Sequence, residues 1–281
     1  MNDPICAAAF ALTPHIGWRL INRLLDRFGS LEAIQQATST ELQSVHGIGK
    51  VIATSIRAID LQKTAADLAR WRAAGIQVAT WDEPGYPVTF ASLEDRPLIV
   101  FWKGGTLDSN GKAIAIVGSR TAREESIALA YEWGAALASR GWTVISGLAR
   151  GIDTAAHAGA LKARGRTLAV LGSGVNNLYP SENSDLAGRI FANGAIVSEF
   201  APDSPPSPAQ LAFRNRLIAG LSQAVIVIEA GATSGAIYAA ESARVQGHPV
   251  FALNNSEGNR AMLAQYARLL PNDADQFLAM L

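Results

Sequence analysis

From Ala113 onward the chain shows short, nearly continuous apolar runs rich in β-branched residues: "AIAIVGS", "TVISGL", "TLAVLGSG", "AIVSEF", "AVIVIEA" and "PVFAL". Each is separated from the next by a stretch long enough for a crossover helix. A strand that is apolar on both faces belongs to a parallel sheet covered by helices, because a sheet with one wet face alternates polar and apolar residues. The pattern predicts an α/β fold, a Rossmann-like doubly wound, mostly parallel sheet whose ligands bind beyond the carboxyl ends of the strands. The first 75 residues follow a helical period instead. Ile16, Leu20, Leu24 and Phe28 recur at helical spacing and the run stops at Gly29; Ser30 then stands where an N-cap belongs. A helix through "KTAADLARWRAAG" ends at Gly75. Residues 76 to about 110 carry too much Pro and Gly for long helices and predict a connector with short strands. The expected division is a helical domain over 1–75 and an extended Rossmann-like domain over 76–281.

Between two helical patterns in "LQSVHGIGKVIATSIRAI" stands Gly47-Ile48-Gly49, where a tight hairpin needs positive φ and close packing. This resembles the helix-hairpin-helix motif of small all-α (SAM-like) domains. In that motif the backbone N–H groups opening the second helix face a DNA phosphate, as the helix dipole favours. A plain αα-hairpin that only packs is the alternative, and Lys50 is the one cation at the turn.

Composition narrows the function classes. Lys+Arg and Asp+Glu both number 24, so the 281-residue chain has no net charge and does not advertise nucleic-acid binding. The field of a site depends on where charges sit, so such binding remains open. One cysteine, Cys6, excludes a disulfide framework or thiolate zinc site within the chain and suits a reduced, cytoplasmic setting. "MNDPICAAAFALTPHIGW" lacks the basic start of a signal peptide, and no segment approaches the roughly 20 apolar residues that span a bilayer. A soluble protein is expected, with no membrane association.

The chemistry gathers where strands end. Gly118-Ser119-Arg120, Ser146-Gly147 leading to Arg150, Gly172-Ser173-Gly174, Ser198-Glu199 and Glu229-Ala230-Gly231 with Thr233-Ser234-Gly235 all follow apolar runs. Glycine lets the backbone approach a ligand, and N–H groups at helix starts and small hydroxyls bind anionic oxygens. One such turn is ordinary; five on one edge predict an anion or phosphate groove. Arg120 and Arg150 add charge, and "FRNRLIAGL" adds Phe213, Arg214, Asn215 and Arg216. Guanidinium groups fit phosphates bidentately and a phenyl ring stacks on a base. For Arg216 an internal salt bridge that fixes the loop is the competing role. The first turn, "GSRTAREE", has one glycine and strand two ends in Ser-Gly, which disfavours NAD or FAD; no P-loop occurs. No cofactor is expected.

"SGLARGIDTAAH" contains the letters of a hydrolase triad. Asp153 and His157 are four apart on one helix face; Asp153 is placed to tie down the Gly147–Gly151 turn, and His157 sits among alanines as buried histidines do. Structural roles are expected, with no catalytic set and no metal site. Glu229 and Glu241 in "EAGATSGAIYAAE" nevertheless keep a nucleotide-hydrolysing or nucleotide-sensing enzyme as the rival reading.

Together the motifs "YP" at 86–87, "KG" at 103–104, "IVGSR", "SGLARGIDTAAHAGAL", "AVLGSGVNNLYPSEN", "FRNRLIAGLSQAVIVIEA" and "SGA" resemble the DNA-processing protein A family, DprA, also called Smf. The resemblance implies a protein that binds single-stranded DNA, loads a RecA-type recombinase onto it, serves natural transformation and forms homodimers without a central catalytic activity. It implies phosphate contacts at Gly118, Ser119, Arg120, the "FRNR" loop, Arg150 and the Thr233-Ser234-Gly235 turn. The family's usual "SGSLITA" is here "SGAIYAA", a departure that includes Tyr238, and Leu253-Asn254 stands where the family has Pro-Gly. A C-terminal winged-helix domain, common in the family, is not expected.

Overall fold

The computed structural model describes residues 3–109 and 111–281. Two compact units meet between Phe101 and Trp102. This division by contacts falls later in the chain than the expected end of the helical domain at 75, because the connector packs with the helices. Leu98 enters the helical core, Phe101 meets Trp71 edge-to-face at 5.3 Å, and the Tyr86 hydroxyl donates to Pro97 O at 2.7 Å. Asn110, the expected end of the connector, lies outside the described residues, as do residues 1 and 2.

The first unit carries α1 (Pro4–Ala11), α2 (Trp18–Phe28), α3 (Leu31–Gln36), α4 (Ser39–Gln43), α5 (Lys50–Arg57), α6 (Leu61–Ala73), β1 (Gln77–Thr80) and α7 (Val88–Ala91), and β2 (Ile99–Gly104) runs across the boundary. Four of its helix starts are capped by sequence-local side chains. Asp3 accepts from Ile5 N–H, Ser30 from Ala33 N–H and Asp60 from Lys63 N–H, while Thr38 and Glu41 form a reciprocal capping box. Phe10, Ile21, Leu24, Leu31, Ile34, Leu42 and Ile56 are fully buried between the helices. The hairpin α4–α5 turns at Gly47 with φ 93°, as the glycine pattern requires.

The second unit continues with β3 (Ala113–Val117), α8 (Glu124–Ser139), β4 (Thr143–Ser146), α9 (Ile152–Lys162), β5 (Thr167–Val170), α10 (Ser184–Asn193) and β6 (Gly194–Ser198). Then follow α11 (Pro208–Phe213), α12 (Asn215–Gly220), β7 (Ala224–Val227), α13 (Ala236–Val245), β8 (Val250–Ala252), α14 (Glu257–Gln265), β9 (Arg268–Leu269) and α15 (Ala274–Leu278). The strands stand in the order β6-β5-β4-β3-β7-β8-β9, and each of these neighbour pairs is parallel. Every residue of β3, β4, β5, β6 and β7 is buried, as continuous apolar runs require. One face packs on Ala130, Trp133 and Leu137 of α8 and on Ala155, Ala156 and Ala160 of α9; Phe277 of α15 closes that core against Phe251 and Trp133.

The chain winds outward from β3 through β4 and β5 to β6, then returns to place β7 on the other side of β3. At such a reversal the connections leave in opposite directions and open a crevice at the carboxyl ends. Here the paired residues Val117 and Val227 bring the "GSR" and "EAGATSG" segments to the same rim.

Candidate functional site

That rim carries a cleft of about 660 Å³ lined from four directions: Gly118, Ser119, Arg120 and Thr121 after β3; Ala149 and Asp153 after β4; Leu211, Arg214 and Asn215 from α11 and α12; Thr233, Ser234, Gly235 and Tyr238 after β7. A second hollow of about 210 Å³, lined by Gly147, Arg150 and Pro180, shares Arg120, Tyr179, Leu211 and Arg214 with it.

The loops are pinned to each other through the backbone. Ser119 N–H donates to Glu229 O at 2.7 Å and Ile152 N–H to Ser119 O at 3.3 Å. Gly151, at φ 71°, allows this approach; a Cβ there would lie 2.4 Å from Ser119 O. The Asp153 carboxylate accepts Gly147 N–H at 3.1 Å and Ala149 N–H at 3.3 Å, holding the turn as its sequence position suggested. Burial pushes this carboxyl up, against the pull of the Arg214 charge and the loop N–H groups.

The "FRNR" segment has a division of labour that its letters do not show. Arg214 is buried, and its Nη1 donates to Gly147 O at 2.8 Å and to Val170 O, joining the ends of β4 and β5. Burial lowers its pKa to about 10, with Asp153 opposing and Arg120 assisting, so it is still a cation at neutral pH. Asn215 Nδ2 donates to Gly235 O at 3.0 Å and so ties α12 to the loop after β7. Arg216 is buried and forms a bidentate pair with Glu199 at 2.5 and 2.6 Å, the internal salt bridge weighed as its competing role. Its guanidinium also lies 3.8 Å from the centroid of the Phe213 ring. Neither Arg216 nor Phe213 lines the cleft, although Phe213 is half exposed.

The remaining cations differ. Arg150 is exposed but paired with Glu182. The Arg120 side chain is exposed and, among the described residues, makes no ion pair and no hydrogen bond, and its backbone N–H donates to no protein acceptor; the same holds for Gly235 N–H. Thr121 N–H donates to the Ser119 hydroxyl at 3.2 Å, with Thr121 Oγ1 also 3.5 Å from it, and Ala236 N–H donates to the Ser234 hydroxyl at 3.3 Å, which leaves the Ser234 hydroxyl hydrogen available to a ligand. An unpaired guanidinium beside hydroxyls and open N–H groups is a setting for anionic oxygens.

The triad letters are engaged elsewhere. Ser146 Oγ donates to Ile116 O at 2.6 Å, and His157 Nδ1 meets Thr167 Oγ1 at 2.6 Å while its Nε2 has no partner, so among the described residues the histidine is bonded to neither Ser146 nor Asp153. Burial and Arg214 lower the His157 pKa to about 3. Glu229 accepts from Ser126 Oγ at 2.5 Å and from Arg123 Nε at 3.2 Å; burial disfavours its charge, but these partners hold its pKa below the usual value. Arg123 also donates to Asn255 O at 3.0 Å. Among the described residues no group of three or more potential metal-ligating side chains comes together.

Sequence reading missed Tyr179, which lines both hollows, and Arg123, which holds Glu229. Tyr179 follows β5 in a segment without periodicity; an aromatic past a strand end was its only signal.

Residues 77–281 match the family described as DNA recombination-mediator protein A, and residues 8–68 match the helix-hairpin-helix motif. The DNA processing protein DprA of Bacillus subtilis is 37% identical over 190 residues, covering 67% of this chain and 64% of that protein. The chain thus aligns with less than two thirds of that relative. The X-ray structure of DNA processing protein A from Streptococcus pneumoniae superposes with a TM-score of 0.84 at 25% identity, covering 99% of this chain and 98% of that one. A Helicobacter pylori DNA processing protein A structure, described for its single-stranded DNA binding mode, gives 0.65 at 28% identity over 73% of this chain and 95% of that one.

Proposed function

Because the chain belongs to the DNA recombination-mediator protein A family, DprA/Smf, we propose that its cleft is a trough for single-stranded DNA. The protein delivers a RecA-type recombinase to the bound strand, in the cytoplasm and as a homodimer. The observation that carries this reading is Arg120: an exposed cation with no protein partner among the described residues, at a cleft with hydroxyls and open N–H groups. A chain of phosphodiesters offers such a site one anionic oxygen pair after another. Gly118, Ser119, Ser234 and Gly235 supply the close backbone approach. Arg150 adds charge beside the smaller hollow, while Arg214, Asn215 and Arg216 hold the walls. Support from relatives lies in the single-stranded DNA binding named for the Helicobacter pylori protein.

The rival nucleotide-hydrolase reading needs Glu229 free to act on a ribose or base. Glu229 is held by Ser126 and Arg123 instead, which favours a binding protein.

Fluorescence anisotropy with labelled oligo-dT and with a duplex, at two salt concentrations, tests the proposal. The expected result is tight, salt-dependent binding of the single strand and weaker binding of the duplex. Equal affinity for both, or binding indifferent to salt, would reject it; release of product from a nucleotide panel, lost in Glu229→Gln, would favour the hydrolase.

A further inference from the structure

Tyr238 stands in the first turn of α13, and its side chain lines the cleft. The helix is anchored without it: Ala236, Ala239, Ala240 and Ala243 form the buried face at helical spacing. Tyr238 is on the other side and 59% exposed, so its ring is open to a partner from outside the chain. Within the chain it has none among the described residues. Its hydroxyl makes no hydrogen bond, no aromatic ring packs on it, and no guanidinium lies over it. Phe213 differs, since Arg216 already occupies one of its faces. A second half-exposed ring, Tyr179, lines the same cleft from the loop after β5.

We infer that Tyr238 is a stacking platform for an unpaired nucleobase, which makes the cleft select strands whose bases are free over a bare phosphodiester chain. This rests on the single-stranded DNA reading of the cleft. Arg120, also in the lining, takes the phosphates, and the ring takes the flat face of a base turned away from them. Every base has such a face, so the contact tolerates any sequence, whereas bases in a duplex are already stacked on one another. The ring, rather than the hydroxyl, is the operative part.

A thermodynamic cycle tests this. Wild type, Tyr238→Phe and Tyr238→Thr are titrated by anisotropy against an oligo-dA and an abasic oligonucleotide of equal length. Tyr238→Thr is expected to bind oligo-dA about tenfold more weakly than wild type and the abasic strand equally well. Tyr238→Phe is expected to match wild type on both. Unchanged abasic binding shows that the variant is folded. A threonine variant that loses equally on both strands, or on neither, while wild type binds oligo-dA, overturns the stacking role alone. Failure of wild type to bind either strand overturns the trough reading and the platform with it.

Discussion

His157 makes stability depend on pH in a way that can be worked out from its contacts. Thr167 Oγ1 donates its hydrogen to Val144 O at 2.7 Å, so the 2.6 Å contact to His157 requires Nδ1–H to be the donor. That leaves Nε2 bare, fully buried and without a partner among the described residues. Protonating it places a cation in an apolar site near Arg214, which is why its pKa falls from 6.5 to about 3. The unfolded chain therefore binds this proton more readily than the folded one. The contribution is fully present above 6.5 and is lost as pH falls from there towards 3. The limiting loss is about 5 kcal/mol, and about 2 kcal/mol is gone by about pH 5. Urea unfolding of wild type and His157→Asn at about pH 7.5 and about pH 5 reads it. Asparagine keeps a donor towards Thr167 and does not titrate, while all other groups titrate alike in both proteins. The variant is expected to lose about 2 kcal/mol less than wild type between the two pH values. Equal losses would refute the buried neutral imidazole.

Other perturbations separate framework from surface. Arg216→Met leaves the largely covered Glu199 without its counter-charge and is expected to cost about 3 kcal/mol in urea unfolding. Adding Glu199→Met should restore most of that, and a double variant no better than the single would show the two are not coupled. Gly151→Ala puts a Cβ 2.4 Å from Ser119 O at a φ of 71°. It should lower stability by more than about 1 kcal/mol and weaken oligo-dT binding together; no change in either would contradict the loop geometry. Arg120→Ala should leave stability within about 0.5 kcal/mol yet flatten the salt slope of oligo-dT binding by about 0.7. An unchanged slope would remove Arg120 from the contacts.

The strand core was legible because "AIAIV" and "AVIVI" are short, β-branched and apolar on both faces, and their helix-length spacing fits a parallel sheet. The Gly-Ser-Arg turn was legible because strand ends carry ligands in such folds. The packing of the connector onto the helical unit was not: Leu98 and Phe101 are apolar in either domain, and periodicity does not say which core an apolar residue joins. The roles within "RNR" were hidden for a related reason. Arg214 finds its acceptors 67 and 44 residues away, and Arg216 its carboxylate 17 away. A local reading sees three polar letters, whereas the fold makes all three of them buried struts. Asp153 was legible since the N–H donors it accepts from lie within its own turn.

The central claim is that DNA lies along the carboxyl rim of the sheet. Amide hydrogen exchange with and without saturating oligo-dT measures this directly. Protection is expected in residues 118–122, 147–151 and 231–238. Protection confined to the helical unit, with those three loops exchanging at unchanged rates, would contradict it.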